Sequence, residues 1–315
     1  MSEALQFPVS YACPVHKTAL VNWRCVQCEH VYPIVHGIPV LLHHSNSVFS
    51  EADYLPQDSY GGYDGASGYD GNLDRSSGLR RLYHHAMMRL MDAEPPRRDF
   101  GVSDAVAAIL AEQPEARILV IGAGERMLPG NVVYTDVAFG KHVSCIADAH
   151  DLPFEAHSFD ACVACAVLEH VLDPYRCVEE IRRVLKPAGY VYAETPFMQP
   201  VHMREYDFTR FTHLGHRRLF RHFAELRSGT TAGTGTSAGQ IMRYALAALS
   251  DRPGTRRWLK LAGLLGTYPL RWLDYLVHGN QCNYDAASGF YFFGRLHGEP
   301  LSDRELLRGF RGSRC

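Results

Sequence analysis

The chain has almost no imbalance of charge: its 315 residues carry 32 Lys and Arg against 34 Asp and Glu, a net charge of −2. A protein that works on phosphate backbones needs a basic stripe, so nucleic acid is not the expected partner. No stretch approaches the roughly 18 consecutive apolar residues of a membrane-spanning helix. The opening residues MSEALQFPVS lack the basic start and apolar core of a secretory signal, which makes the cytoplasm the expected compartment. The nine cysteines there read as reduced, buried or metal-bound thiols, not as a disulfide framework.

Arg117 to Phe197 holds the strongest pattern. An apolar run, RILVI, enters two glycines, Gly122 and Gly124; a second, NVVYTD, ends on Asp136. ADAHDLPF follows with Asp148 and Ala149, then the strand-like SFDACVACAVLEHV, then a helical period from Asp173 through Leu185 ended by Lys186, Pro187 and Gly189, and last the strand GYVYAETPF. Short apolar runs bounded by Gly, Pro and Asp, alternating with a helical period, predict βαβ units in a parallel sheet. Such sheets bind ligands beyond the carboxyl ends of their strands. The glycines permit a tight turn and close approach there. A carboxylate at Asp136 can accept hydrogen bonds from both hydroxyls of a ribose, and Asp148 with Ala149 is placed to meet an adenine edge.

The series IGAG, TD, DAHDLPF, SFDACVACAVLEHV and EIRRVLKPAGYVYAETPF resembles class I S-adenosylmethionine-dependent methyltransferases, closely over about Arg117 to Phe220. The resemblance implies an α/β, Rossmann-like methyltransferase sheet with helices on both faces. It implies that Gly122 and Gly124 face the methionine end of the cofactor, Asp136 the ribose, and Asp148 with Ala149 the adenine. Ala166 would line the cofactor floor. Val120 stands where the family usually has an acid, and Arg126 replaces its third glycine. Only Gly122 to Asn131 separates the first two strands, leaving room for no more than a turn of the usual first helix.

Upstream, YACPVHKTALVNWRCVQCEHVYPIVHGIPVLL sets Cys13 and His16 in one knuckle and Cys25 and Cys28 in another, a spacing that predicts a tetrahedral structural zinc. His30 is an alternative fourth ligand. The end of this stretch resembles zinc-ribbon domains similar to the small activator subunit of tRNA and rRNA methyltransferases. The expected division is a zinc ribbon over 1–50, a Gly/Tyr-rich linker and helix over 51–100, and a methyltransferase domain over 101–315. Residues 51–78 read as a linker or a lid, followed by a helix with Leu82, Met87, Leu90 and Met91 at helical spacing. Ser103 is the expected cap of a short helix to about Glu112.

The segment after the last parallel strand, TPFMQPVHMREYDFTRFTHLGHRRLF, resembles stretches of uncharacterised bacterial methyltransferases tied to surface-polysaccharide or natural-product pathways. It is dense in reactive groups. His202 is the candidate base, with Glu205 in reserve, and Tyr206 would orient the acceptor. Asp207 and Arg210 read as a structural pair, and Phe208 and Phe211 as core. His170 either touches substrate or bonds to backbone beneath the cofactor.

Residues 228–240 read as flexible. A greasy helical insert over about 238–280 precedes the last strand, GFYFFGRL. The insert serves as core, as a homodimer face or as a pocket for a lipid-like acceptor, and Arg256, Arg257 and Lys260 beside Trp258 allow peripheral membrane contact.

The leading expectation is methyl transfer from S-adenosylmethionine to a small-molecule or lipid- or sugar-linked acceptor. The alternatives are a catalytically silent partner protein of the same fold and, third, an RNA methyltransferase.

Overall fold

The computed structural model describes residues 10–46, 48–55, 99–124 and 127–314. The proposed linker or lid and the helix after it lie mostly outside these residues, as does Arg126. One seven-stranded sheet organises the rest, in the order β10-β11-β9-β8-β5-β6-β7. Its strands are β5 (Arg117–Ile121), β6 (Asn131–Asp136), β7 (Cys145–Ile146), β8 (Phe159–Cys165), β9 (Leu185–Pro196), β10 (Phe223–Ala232) and β11 (Gly289–Leu296). All pair in parallel from β7 to β9, while β11 is antiparallel to both neighbours.

Buried-on-both-faces strands require near-continuous apolar runs, and RILVI and FDACVAC supply them. Helix α1 (Val102–Glu112) packs Val102, Ala105, Val106 and Ile109 inward on one face. Its cap is Gly101, not Ser103, and the Asp104 carboxylate accepts from the Gly101 N–H at 2.8 Å. On the other face, α2 (Pro174–Val184) starts from the Asp173 cap and buries Cys177, Val178, Ile181 and Val184. Two members of its polar face are tied down. Arg183 donates to the carbonyls of Leu152 and Phe154, and Glu180 pairs with Lys17 at 2.8 Å.

The N-terminal unit is built from two short hairpins, β1–β2 (Leu20–Val21, Arg24–Cys25) and β3–β4 (Ile34–Val35, Ile38–Pro39). It shares its core with the sheet. Val40 runs parallel to Ile146 at the β7 edge, and the Leu41 N–H donates to the Ile146 carbonyl at 2.9 Å. Leu41, Cys13 and Cys25 belong to the same buried cluster as Phe154, Val191 and Phe292. A two-residue edge strand is thereby covered, which removes an exposed pairing edge.

Residues 228–240 are a correction. They form the end of β10 and the start of α4 (Thr234–Ala247). The helical insert therefore begins at Thr234 and runs through α5 (Pro253–Thr267), a 3-10 turn at Tyr268–Trp272, α6 (Leu273–Val277) and α7 (Gln281–Asp285). A distant carboxylate orders its start: Asp274 accepts from the N–H groups of Gly233 at 3.0 Å and Gly235 at 2.8 Å. A Cβ on Gly235 would meet the Leu270 carbonyl at 2.2 Å, so only glycine fits there. The last strand follows as the sequence predicts, and a Ser302/Glu305 capping box starts α8 (Asp303–Arg308).

Candidate functional site

Strand order reverses at β5. The chain steps outward from β5 to β6 and β7, then returns to place β8 on the other side of β5. Neighbouring connections leave in opposite directions there, and the gap between them is where ligands of open α/β sheets bind. A cleft with about 740 Å³ of open space, mouth included, occupies that position.

Gly122, at the tip of β5, lines it with φ +71; a Cβ there would stand 2.4 Å from Val167 Cγ2. Its N–H and that of Ala123 donate to the Thr135 carbonyl at 2.9 and 3.1 Å, tying the glycine turn to the end of β6. Asp136 lines the cleft from β6. Burial raises its pKa, opposed by backbone N–H groups that include Ala138 at 3.0 Å and Gly124 at 3.4 Å. Gly124 holds this carboxylate and does not itself line the cleft. Asp148 and Ala149 line the far side. Burial alone would raise the Asp148 pKa, but His150 and Asn46 hold it low, the latter through a 2.7 Å bond. Val120 is buried in the core and does not line the cleft.

Ala166 is not brought to the cleft. It is exposed, with φ 54, and the turn it makes presents Val167 instead. Phe208, read as core, is 46% exposed and lines the cleft, whereas Phe211 is buried as expected. Glu205 is exposed on the 3-10 turn Arg204–Tyr206. Tyr206 lines the cleft and stacks on Phe49 of the N-terminal unit at 6.4 Å. Met203 and Arg204 both adopt the left-handed conformation, at φ 56 and 52, a strain that non-glycine residues keep mainly at functional loops.

His170 also lines the cleft, and its Nδ1 donates to the Tyr206 carbonyl at 2.8 Å, the backbone bond of the second reading. His202 lies one ring behind it, centroids 4.8 Å apart. Its pKa is raised by the facing Glu169 carboxylate, against the lowering effect of burial. Asp207 and Arg210 form the expected pair, and Asp207 also accepts from the His202 backbone N–H at 2.7 Å. Sequence reasoning missed three contributors. Glu169 is fully buried under the two imidazoles, and Val48 and Phe49 close the cleft from the N-terminal side. An acidic residue inside the apolar run ACAVLEHV was the available signal for Glu169.

In the N-terminal unit the ligand atoms of Cys13, His16, Cys25 and Cys28 converge. His16 Nδ1 lies 3.5 Å from Cys13 Sγ and 3.6 Å from Cys25 Sγ, and Cys13 and Cys28 are 4.0 Å apart. Backbone N–H groups of His16 and Gln27 point at the sulfurs of Cys13 and Cys25. His30 turns away to Glu51, at 2.9 Å.

A doubly wound sheet with a glycine turn and two carboxylates at its switch point defines a nucleotide-cofactor cleft. Residues 99–193 match the family described as "Methyltransferase domain". The chain is 32% identical over 120 residues to a demethylmenaquinone methyltransferase of Clavibacter sepedonicus, covering 37% of this chain and 44% of that one. It is 31% identical over 121 residues to an uncharacterized 37.1 kDa protein in a Streptomyces fradiae transposon, covering 37% and 35%. It spans less than half the length of these two curated relatives. A solved phosphoethanolamine N-methyltransferase 2 of Haemonchus contortus, in complex with S-adenosyl-L-methionine, aligns at 15% identity with a TM-score of 0.37, over 63% of this chain and 53% of that one.

His213, one of the groups in the reactive stretch, belongs to the core instead. It sits edge-on to Tyr284 and Phe290, and neither it nor His216 has a bonded Nε2. Burial pushes His213 down to about 4 and His216 down to about 3. Unfolded histidine takes up its proton near pH 6.5. Stability is therefore full above about pH 6.5 and falls as the pH drops toward about 4, by on the order of a few kcal/mol. Urea unfolding at neutral and mildly acid pH measures this loss, and His216→Leu is expected to reduce it.

Proposed function

We propose that the chain transfers the methyl group of S-adenosylmethionine to an acceptor that enters over His170, Met203, Tyr206 and Phe208. The observation that carries this reading is the placement of Gly122, Asp136 and Asp148 around one cleft at the strand reversal of a methyltransferase domain. Asp136 would accept the ribose hydroxyls, the Asp148–Ala149 edge would meet the adenine, and the Gly122 turn would admit the methionine end. The sulfonium is already activated, so the protein's task is in-line positioning and control of the acceptor proton. His202 is assigned to that proton and Tyr206 to orientation; Glu205, exposed, stays in reserve. Hydrogen bonds to a charged acceptor are worth about 1.5–3 kcal/mol each. Asp136→Ala is therefore expected to weaken S-adenosylhomocysteine binding about tenfold to several hundredfold, measured by calorimetry. Failure of the folded wild type to bind would favour the silent-partner reading.

Cys13, His16, Cys25 and Cys28 are proposed to hold a structural zinc. Thiolate and imidazole donors at about 2.3 and 2.0–2.1 Å from a tetrahedral ion sit roughly 3.5–3.8 Å from one another, close to the separations above. Elemental analysis of protein purified without added metal is expected to find one zinc that Cys25→Ser removes; a metal-free chain with an intact N-terminal unit would contradict this.

The acceptor is proposed to be lipid-linked. The insert leaves the same sheet edge as the cleft, since Ala232 and Gly289 flank it and Gly289 pairs with Pro196 at the end of β9. It exposes Trp258 (71%) and Leu276 (76%). It also carries Arg243, Arg252, Arg256, Arg257, Lys260 and Arg271 against three acids, although the whole chain is net negative. Apolar and basic groups exposed on one insert suit an anionic membrane. Sedimentation with vesicles should show binding that requires anionic lipid and that Arg256→Glu weakens about fivefold. A dimer that buries Trp258, without vesicle binding, would defeat the assignment.

A further inference from the structure

Glu169 is fully buried, and neither of its carboxylate oxygens has a hydrogen-bond partner. A buried carboxylate without a donor is costly enough that something positive is expected beside it. The nearest groups are two imidazoles. His170 Nε2 and His202 Nε2 each stand 3.7 Å from the same oxygen, Glu169 Oε1. Both distances are too long for a hydrogen bond.

The outer nitrogens of the two rings decide how this cluster reads. His170 Nδ1 faces the Tyr206 carbonyl at 2.8 Å. A carbonyl only accepts, so this nitrogen carries the proton and the lone pair of Nε2 points at Glu169. His202 Nδ1 lies 3.5 Å from Asp207 Oδ2 and 3.4 Å from Arg210 Nη2, and that arginine nitrogen is itself bonded to Asp207 at 2.6 Å. As it stands His202 Nδ1 accepts from Arg210, so the His202 proton lies on Nε2. Only when that proton moves to Nδ1, toward Asp207, do both Nε2 lone pairs and the Glu169 oxygen become free for one ion. Histidines whose outer nitrogen is anchored on a carbonyl or carboxylate, with the inner one free, are the pattern of metal ligands.

From this convergence we infer that Glu169, His170 and His202 form a second metal site, distinct from the four-ligand cluster of the N-terminal unit, which takes a divalent transition-metal ion at the acceptor edge of the cleft. The three ligand atoms lie within 4.8 Å of one another. An ion held at about 2.0–2.2 Å sets its ligands roughly 3–3.5 Å apart, so the two 3.7 Å pairs close by a few tenths of an ångström. Two histidines and one carboxylate leave open positions on the ion. His170 lines the cleft, so these positions face the acceptor.

The inference deepens the proposed methyl transfer and rests on it for its chemistry. An acceptor hydroxyl or enol bound to the ion loses its proton to water more readily, as metal-bound water does. The oxygen lone pair then forms the C–O bond, the methyl–sulfur bond breaks, and its electron pair stays on sulfur as the neutral thioether. His202 controls the acceptor proton here as a ligand, not as a free base.

The test uses the full chain with the N-terminal metal in place, titrated with Mn2+ and separately with Zn2+ by calorimetry, while S-adenosylhomocysteine binding is measured on the same samples. Wild type is expected to take up one ion beyond that held by the N-terminal unit. Glu169→Gln and, independently, the half-exposed His202→Ala should each weaken that uptake at least tenfold and leave S-adenosylhomocysteine affinity within about twofold. No uptake by wild type, or uptake that ignores both substitutions, overturns the metal site even if the cofactor binds. Failure of S-adenosylhomocysteine to bind, with metal uptake intact, overturns the methyl-transfer reading and leaves the site standing.

Discussion

The reversal of strand order at β5 governs this molecule. It forces the connections on either side of β5 to part, and the cleft opens in that parting. The opening survives only because Gly122 has no side chain. Val167, at the end of the neighbouring strand, occupies the space a Cβ would need, 2.4 Å away. A side chain at 122 would have to push β5 and β8 apart at their ends, where the parallel ladder is complete up to Ile121 and Ala164. The short return to β6 has the same origin. With the turn already fixed by two N–H groups on the Thr135 carbonyl, the chain reaches Asp136 without a full helical layer between.

What the sequence made legible was local. Apolar runs read as strands, Asp173 and Pro174 as a helix start, and Cys and His spacing as two knuckles, because each of these is set by neighbours a few residues away. Residues 228–240 failed the same reading for a physical reason. Gly, Thr and Ser there have weak propensity for any regular structure, yet Asp274 and Asn283 from the far end of the insert supply their missing bonds. Phe208 was misread because aromatic residues are usually core, and nothing local says that it borders a cleft. Glu169 and His202 come from different segments, so the alignment of their acceptor atoms is visible only once the loop after β9 folds back.

The same distinction separates the two halves of the cleft. The side lined by Gly122, Asp136 and Val167 is made of strand ends and is rigid by construction, each residue within one or two of a ladder. The side lined by Met203, Tyr206 and Phe208 is made of loops. Met203 and Arg204 hold unfavourable left-handed conformations, and they are retained because Asp207 binds both the His202 backbone and Arg210. Loops on a rigid scaffold can change what they accept without disturbing the sheet.

The N-terminal unit bears on chemistry for this reason. Its Phe49 stacks on Tyr206, the Tyr206 carbonyl anchors His170, and His170 faces Glu169. Its Asn46 meanwhile bonds Asp148, which also lines the cleft. Forty residues with two-residue strands have little core of their own, so their geometry depends on the Cys/His cluster at one end and on Val40 and Leu41 against β7 at the other. A displacement of this unit reaches both sides of the cleft through single contacts. The Cys/His cluster, although remote from the cleft, therefore bears on the orientation of the His170 imidazole through Phe49 and Tyr206.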